Sequence, residues 1–167
     1  MGRVLDNPRS GERIVVRRSA QDTDGELLEF DVFLRPGAHV PARHVHPRQV
    51  ERFSVLVGRV RFSLGRRAFL ACAGDSVLVP SGTPHWFGNA GPDTAQVRVE
   101  VRPAMRMEEL FETTVEHAAR ATGWRRLVML GLVLLDFRHE VAVPDVPSFA
   151  MVCLLTPLAW LRPRLSR

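Results

Sequence analysis

The sequence predicts an all-β sandwich or barrel over residues 12–102, followed by a helical, apolar extension. Three observations carry this. Short stretches in which apolar and polar residues alternate recur along the first hundred positions, at the period of a half-buried strand. Gly and Pro stand at the joints between them. After Pro103 the apolar spacing lengthens to three and four residues, the period of a helix. The chain divides accordingly into a barrel domain, residues 1–103, and a C-terminal extension, residues 104–167.

Residues 1–11 read as a leading loop, with Asn7-Pro8 and Ser10-Gly11 as breakers. Glu12–Arg18, with Ile14, Val15 and Val16, is a strand, and Gln21–Gly25 is a turn. Glu26–Arg35 places Leu28, Phe30, Val32 and Leu34 on one face and Glu29 and Asp31 on the other, and Pro36-Gly37 stops it. Val40–Pro47 is a short extended piece. Gln49–Val57 follows, with Gln49, Glu51, Phe53, Val55 and Val57 sharing a face. Gly58 turns the chain into Arg59–Leu64, where Val60, Phe62 and Leu64 alternate with Arg59, Arg61 and Ser63. Arg67–Cys72 is a further strand. Val77-Leu78-Val79 is a short one, closed by the turn chemistry of Pro80-Ser81-Gly82, which delivers His85 to the start of the next strand. Thr94–Arg102 alternates Val97, Val99 and Val101 with Arg98, Glu100 and Arg102.

In the extension, Met107, Leu110, Phe111, Thr114, Val115 and Ala118 mark an amphipathic helix over 104–122, ended by Gly123. Trp124–Phe137 is apolar nearly all round. Phe149–Leu161 is a second apolar segment, split by Pro157 and closed by Arg162, Arg164 and Arg167. Both segments are shorter than the ~20 residues a spanning helix needs. They are expected to pack on the barrel or across a dimer. The alternative is contact with a membrane surface through residues 127–161, with Trp160 and the terminal arginines at headgroup level.

All 23 basic residues are arginine and there is no tyrosine. The net charge of +5 is spread along the chain, whereas a nucleic-acid groove clusters its cations with stacking aromatics, so nucleic acid is excluded as a partner. Cys72 and Cys153 are far apart and imply no disulfide framework. The N-terminal residues lack an apolar signal region, so the cytoplasm is the expected location.

His44 and His46 are two residues apart, which in an extended segment puts both imidazoles on one face. Glu51 begins the inward face of the next strand, and His85 opens a later one. Three imidazoles and a carboxylate suit a divalent transition metal: imidazole favours Fe, Ni, Zn and Cu, and the carboxylate leaves Mn open. By strand parity Phe53, Val55, Phe62, Val77 or Leu78, and Phe87 are candidates to line an apolar substrate pocket beside it. Gln49 is read as a solvated strand-start residue, and His39 as an exposed loop residue. Asn89 is expected to fix its turn by a backbone hydrogen bond.

Two stretches resemble the paired motifs of the cupin superfamily. Gly37, then His44-Val45-His46-Pro47-Arg48-Gln49-Val50-Glu51, then Gly58 is similar to the first, with six residues rather than five between Gly37 and His44. Gly74 to Asn89 is similar to the second at every defining position: Gly, five residues, Pro-x-Gly, two residues, His, three residues, Asn. The resemblance covers residues 26–102 and is closest to the small single-domain cupins of bacteria. It implies a double-stranded β-helix, or jelly-roll barrel, usually a homodimer, with metal ligation by His44, His46, Glu51 and His85. In such relatives the residue matching Glu51 either ligates or stands off as a catalytic base; the alternative for this side chain is an ion pair with Arg43 or Arg48. A metal-dependent dioxygenase of the quercetin-dioxygenase type, acting on a small organic substrate, is one function this implies. The alternatives are a non-catalytic small-molecule-binding cupin, as a sensor or storage module, and a membrane-associated accessory protein. The absence of tyrosine counts against the metal-free sugar-epimerase cupins, which work through a His/Tyr arrangement.

Overall fold

The computed structural model describes residues 3–7, 10–40, 42–120, 123–144, 150, 152–153 and 156–157. Nine strands precede two helices: β1 (Val4–Asn7), β2 (Glu12–Arg18), β3 (Leu28–Leu34), β4 (Val50–Val57), β5 (Arg59–Leu64), β6 (Arg67–Cys72), β7 (Ser76–Val79), β8 (His85–Asn89), β9 (Ala95–Arg102), α1 (Met107–Arg120) and α2 (Gly123–Asp136). The strands form a six-stranded antiparallel sheet in the order β1-β2-β3-β9-β4-β7 and a three-stranded one in the order β6-β5-β8. Their inner faces meet in one core. Phe53 of β4 packs edge-on against Phe62 of β5 and Phe87 of β8, with ring centroids 5.4 and 5.0 Å apart.

Alternation decides which side chains enter that core. Leu28, Phe30, Val32 and Leu34 are buried from β3, and Val97, Val99 and Val101 from β9. The two strands pair Phe30 with Val99 and Val32 with Val97, so one apolar face continues across the sheet. On the outer face Asp31 is fully excluded from solvent, held by Arg17 at 2.7 Å and Arg98 at 2.9 Å. Its own burial opposes ionisation, but the guanidinium hydrogen bonds outweigh that and hold the carboxyl below its usual range.

Three local expectations are corrected and one open choice is settled. Residues 4–7 form a strand rather than a loop, because the edge of β2 offers them a ladder from Val4↔Val15 to Asn7↔Glu12. The β4–β9 register shifts between Val55 and Val57, a bulge that leaves Val57 half exposed instead of in the core. Gly123 is the first residue of α2 rather than a terminator, although its φ of 56° is the left-handed conformation expected at such a joint. Leu78 is exposed and Val77 buried, which settles their parity.

The helices pack onto the barrel. Met107, Leu110, Val133 and Phe137 belong to the same buried cluster as the strand residues, and Phe111 meets Phe30 edge-on at 5.0 Å. Beyond α2 the chain reaches back to the segment before β4, where Val45 and Ala142 exchange two backbone hydrogen bonds of 3.0 Å. The outer side of α2 leaves Trp124, Leu127 and Leu130 exposed, so its apolar residues are not all used in packing. Among the described residues no helix is long and apolar enough to cross a membrane. The segment 149–161 lies largely outside the described residues.

Candidate metal centre

The two histidine-bearing stretches are stitched together by backbone before any side chain is considered. His44 donates its N–H to the His85 carbonyl at 3.0 Å, and His85 donates back to His44 at 2.9 Å. Gly82, with φ of 72°, donates to the His46 carbonyl at 2.9 Å. A glycine is needed there because a side chain is strained at that φ. The Pro80–Pro84 turn is thereby fixed against the His44–His46 segment, and His85 enters β8 with its ring between the sheets. Glu51 comes from the opposite sheet, where β4 is flanked by Val79 and Val101.

The result is a compact cluster. His44 and His85 ring centroids are 4.3 Å apart, His44 and His46 4.9 Å, and His46 and His85 5.3 Å. One candidate donor atom from each of the three lies within 4.8 Å of the others, close enough for one cation to be shared. His46 and His85 are buried and His44 is half-buried, so the site opens past His44. The Glu51 carboxylate spans two of the rings: Oε1 is 3.5 Å from His46 Nε2 and Oε2 is 2.8 Å from His85 Nε2. Arg43 instead donates to the Gly65 carbonyl, so it is not the counter-charge of Glu51.

Each histidine turns its other nitrogen to a backbone carbonyl. His44 Nδ1 donates to Ala42 at 2.8 Å, His85 Nδ1 to Thr83 at 3.0 Å, and His46 Nδ1 to Glu140 at 2.5 Å. A carbonyl can only accept, so all three rings carry their proton on Nδ1. In the neutral ring this leaves Nε2 as a bare lone pair facing the centre, the tautomer a metal ligand requires. His85 Nε2 and Glu51 Oε2 are buried without a well-formed hydrogen bond despite their short separation. Two such lone pairs facing each other need a proton or a cation between them. The residues therefore fit a divalent cation bound by imidazole and carboxylate.

Electrostatics points the same way. For His44, burial and the two neighbouring imidazoles push the pKa down to about 3, so this ring is neutral. For Glu51, burial works against ionisation, but His46, His85 and His44 outweigh it and bring the value to about 2. For His85, burial is likewise outweighed, here by the hydrogen bond and charge of Glu51, and its pKa is raised.

Of the pocket candidates, Phe53 is the one whose ring meets a site imidazole, 6.1 Å from His85. Phe62 and Phe87 stack behind it at 5.8 Å, and Val55 is buried further along the same strand face. Gln49 corrects its sequence reading. It is buried, and its amide donates to the Pro103 and Ala104 carbonyls at 3.0 Å each. His39 is exposed, as expected, and lies 5.6 Å from Trp86. Asn89 fixes its turn by donating to Leu34 and Asp93 and accepting from the Gly91 N–H. The sequence reading does not include the carbonyls of Ala42, Thr83 and Glu140. The first two follow a local rule, two residues before the ligand, but nothing in the sequence marks the third.

No curated protein is significantly similar to the chain. Among solved structures, a predicted oxalate decarboxylase from Thermotoga maritima is 21% identical over 62% of this chain and 92% of its own, with a TM-score of 0.53. KdgF from Halomonas sp. is 20% identical over 59% and 86%, with a TM-score of 0.51. The Cnp3 cupin domain of Schizosaccharomyces pombe is 14% identical over 64% and 72%, also at 0.51. At these identities the similarity is one of fold. The family model described as Cupin domain matches residues 30–101. That stretch runs from β3 to β9 and takes in every residue of the donor cluster, and residues 30–101 form a cupin domain.

Proposed function

We propose that this cupin is a metal-dependent enzyme acting on a small organic substrate, with a divalent transition metal held by His44, His46 and His85 and by Glu51 as the fourth donor. One observation carries the reading: three Nδ1–H groups are committed to carbonyls, which turns three Nε2 lone pairs onto one point beside a buried carboxylate. When bound there, such a metal supplies Lewis-acid polarisation or O2 activation toward a substrate that chelates through oxygen. The protein's part is positioning and proton handling. With no lysine and no tyrosine in the sequence, Schiff-base and phenol chemistry are closed to it. Glu51 is ionised and buried, and where it stands off the metal instead of ligating it is the group placed to take a proton from an enol or hydroxyl. Phe53, backed by Phe62 and Phe87, forms a dry wall against which the apolar part of a substrate lies. These features support a dioxygenase of the quercetin type, whose substrates are enolisable oxygen chelates.

The test is elemental analysis of the purified protein, followed by turnover assays of the metal-loaded form. The substrate panel is flavonols, β-diketones and, given the Thermotoga maritima relative, oxalate. The expected result is a stoichiometric transition metal, lost in His44→Ala and His85→Ala, with O2 consumed on the enolisable substrates. A protein that takes up no metal overturns the reading. Metal without turnover, together with metal-dependent ligand binding, assigns the barrel instead to a binding module.

A further inference from the structure

The three ligand histidines are not oriented alike. His44 and His85 each donate Nδ1–H to the carbonyl two residues earlier in their own loop, Ala42 and Thr83. His46 donates to Glu140, 94 residues downstream and beyond α2. The segment that supplies this carbonyl is held at both ends. On one side Glu140 and Val141 donate to the Phe137 carbonyl at 2.9 and 2.8 Å, closing a turn at the end of α2, and Phe137 is buried beneath the Arg106 guanidinium. On the other, Ala142 and Val45 exchange two hydrogen bonds of 3.0 Å, next to the residue being oriented. Phe137, Glu140 and Ala142 are all buried, so this is a packed wall rather than a passing loop.

We infer that residues 137–142 are the outer wall of the metal centre, and that Glu140, through its backbone carbonyl, is the positioning residue for His46. The inference rests on the metal reading above and deepens it: ligation by His46 depends on the C-terminal extension being docked, whereas ligation by His44 and His85 does not. Without this carbonyl nothing fixes the His46 proton on Nδ1. The ring is then free to place N–H rather than a lone pair toward the centre.

Ala142→Pro in the full chain removes the N–H that donates to Val45 and breaks the bridge beside Glu140. Two readouts separate the possibilities. In the metal-free protein, imidazole 15N shifts report each tautomer. His44 and His46 carry the proton on Nδ1 in the parent, and only His46 loses this preference in the variant, with His44 as the internal control. In a cobalt(II) titration the variant binds ~10–100-fold more weakly, the usual effect of losing an outer partner of a ligand, while keeping the parent's circular dichroism. A variant whose His46 tautomer and cobalt affinity match the parent overturns the inference, and so does one in which the His44 and His46 tautomers scramble together. If Ala142→Pro does not fold, the parent protein still decides: a His46 proton found on Nε2, or an Nδ1–H that exchanges as fast as that of an exposed histidine, overturns it as well. Failure of the parent to bind cobalt at all counts against the metal reading, independently of the His46 tautomer.

Discussion

Replacing Glu51 by Gln separates a metal ligand from a structural counter-charge. Glu51 is 4% exposed, and its two oxygens face two Nε2 atoms, at 3.5 and 2.8 Å. Removing one partner of a buried ion pair ordinarily costs about 3–5 kcal/mol, because the other charge is stranded. Here the stranding is avoidable. With Nδ1 of His85 committed to the Thr83 carbonyl, its Nε2 can act as an acceptor, which the Gln amide N–H satisfies. The loss then falls to that of an ordinary hydrogen bond, about 1 kcal/mol, or about 2–4 °C in Tm for a chain of this size. Metal affinity is not cushioned in this way. Gln keeps the shape but presents no charge to a cation, so the apparent Kd should weaken by more than the ~10–100-fold that an outer-partner change produces. The assay pairs calorimetric Tm of the metal-free protein with a zinc or cobalt titration of parent and variant. A drop in Tm of about 6–20 °C, the equivalent of about 3–5 kcal/mol, with metal affinity unchanged would refute the reasoning and make Glu51 a structural counter-charge.

Three further outcomes are expected. Saturating metal at about 100 times its Kd should add about 2.7 kcal/mol and raise Tm by about 5–11 °C, with no rise in His85→Ala, as read by scanning calorimetry. Asp31, whose pKa is lowered in the fold, contributes stability that is present above its unfolded value near ~3.9 and lost as pH falls through the lower folded value. Asp31→Asn should therefore be less stable than the parent by about 1–3 kcal/mol at pH 7, with the gap narrowing as pH falls below ~4 in urea titrations; a gap that does not narrow with falling pH goes against it. Gly88→Ala would bring a Cβ to 2.7 Å from His39 Cβ, 3.0 Å from the Trp86 ring and 3.2 Å from the Ala38 carbonyl. A cost of about 1–3 kcal/mol in denaturant melts is expected, with a shifted Trp86 emission.

What the sequence shows and what it hides follow from how each feature is encoded. Strand faces are encoded by side-chain alternation, so Leu28 to Leu34 and Val97 to Val101 announce their buried faces. The donor residues are legible for a similar reason: His44 and His46 need only strand parity to point together, and His85 needs only the turn before it. Val57 reads as inward because parity is counted along a regular strand, and a bulge resets the count without changing composition. Gln49 reads as solvated because its type is usually exposed; it is buried because the chain returns as Pro103-Ala104 and offers two carbonyls. Glu140 is the extreme case. It acts on His46 through a main-chain carbonyl, which every residue has, so no choice of side chain could reveal it.

The change of period at Pro103 looks like a domain boundary, but the energetics run across it. Met107, Leu110, Val133 and Phe137 are buried in the same cluster as the barrel's own valines and phenylalanines. At about 1.5–3 kcal/mol for each buried side chain, their contribution is about 6–12 kcal/mol, comparable to the whole stability of ~5–15 kcal/mol typical of a folded domain. Ending the chain at residue 103 would also uncover Phe30 opposite Phe111, remove the Ala104 carbonyl from Gln49 and leave His46 without its Nδ1 acceptor. Such a fragment is expected to be unfolded or aggregated on expression, and to bind no metal. A soluble, cooperatively melting 1–103 fragment that takes up metal with the affinity of the full chain would mean that the extension is an appendage. The connections of Phe111 to Phe30, Ala104 to Gln49 and Glu140 to His46 tie residues 104–142 to the barrel.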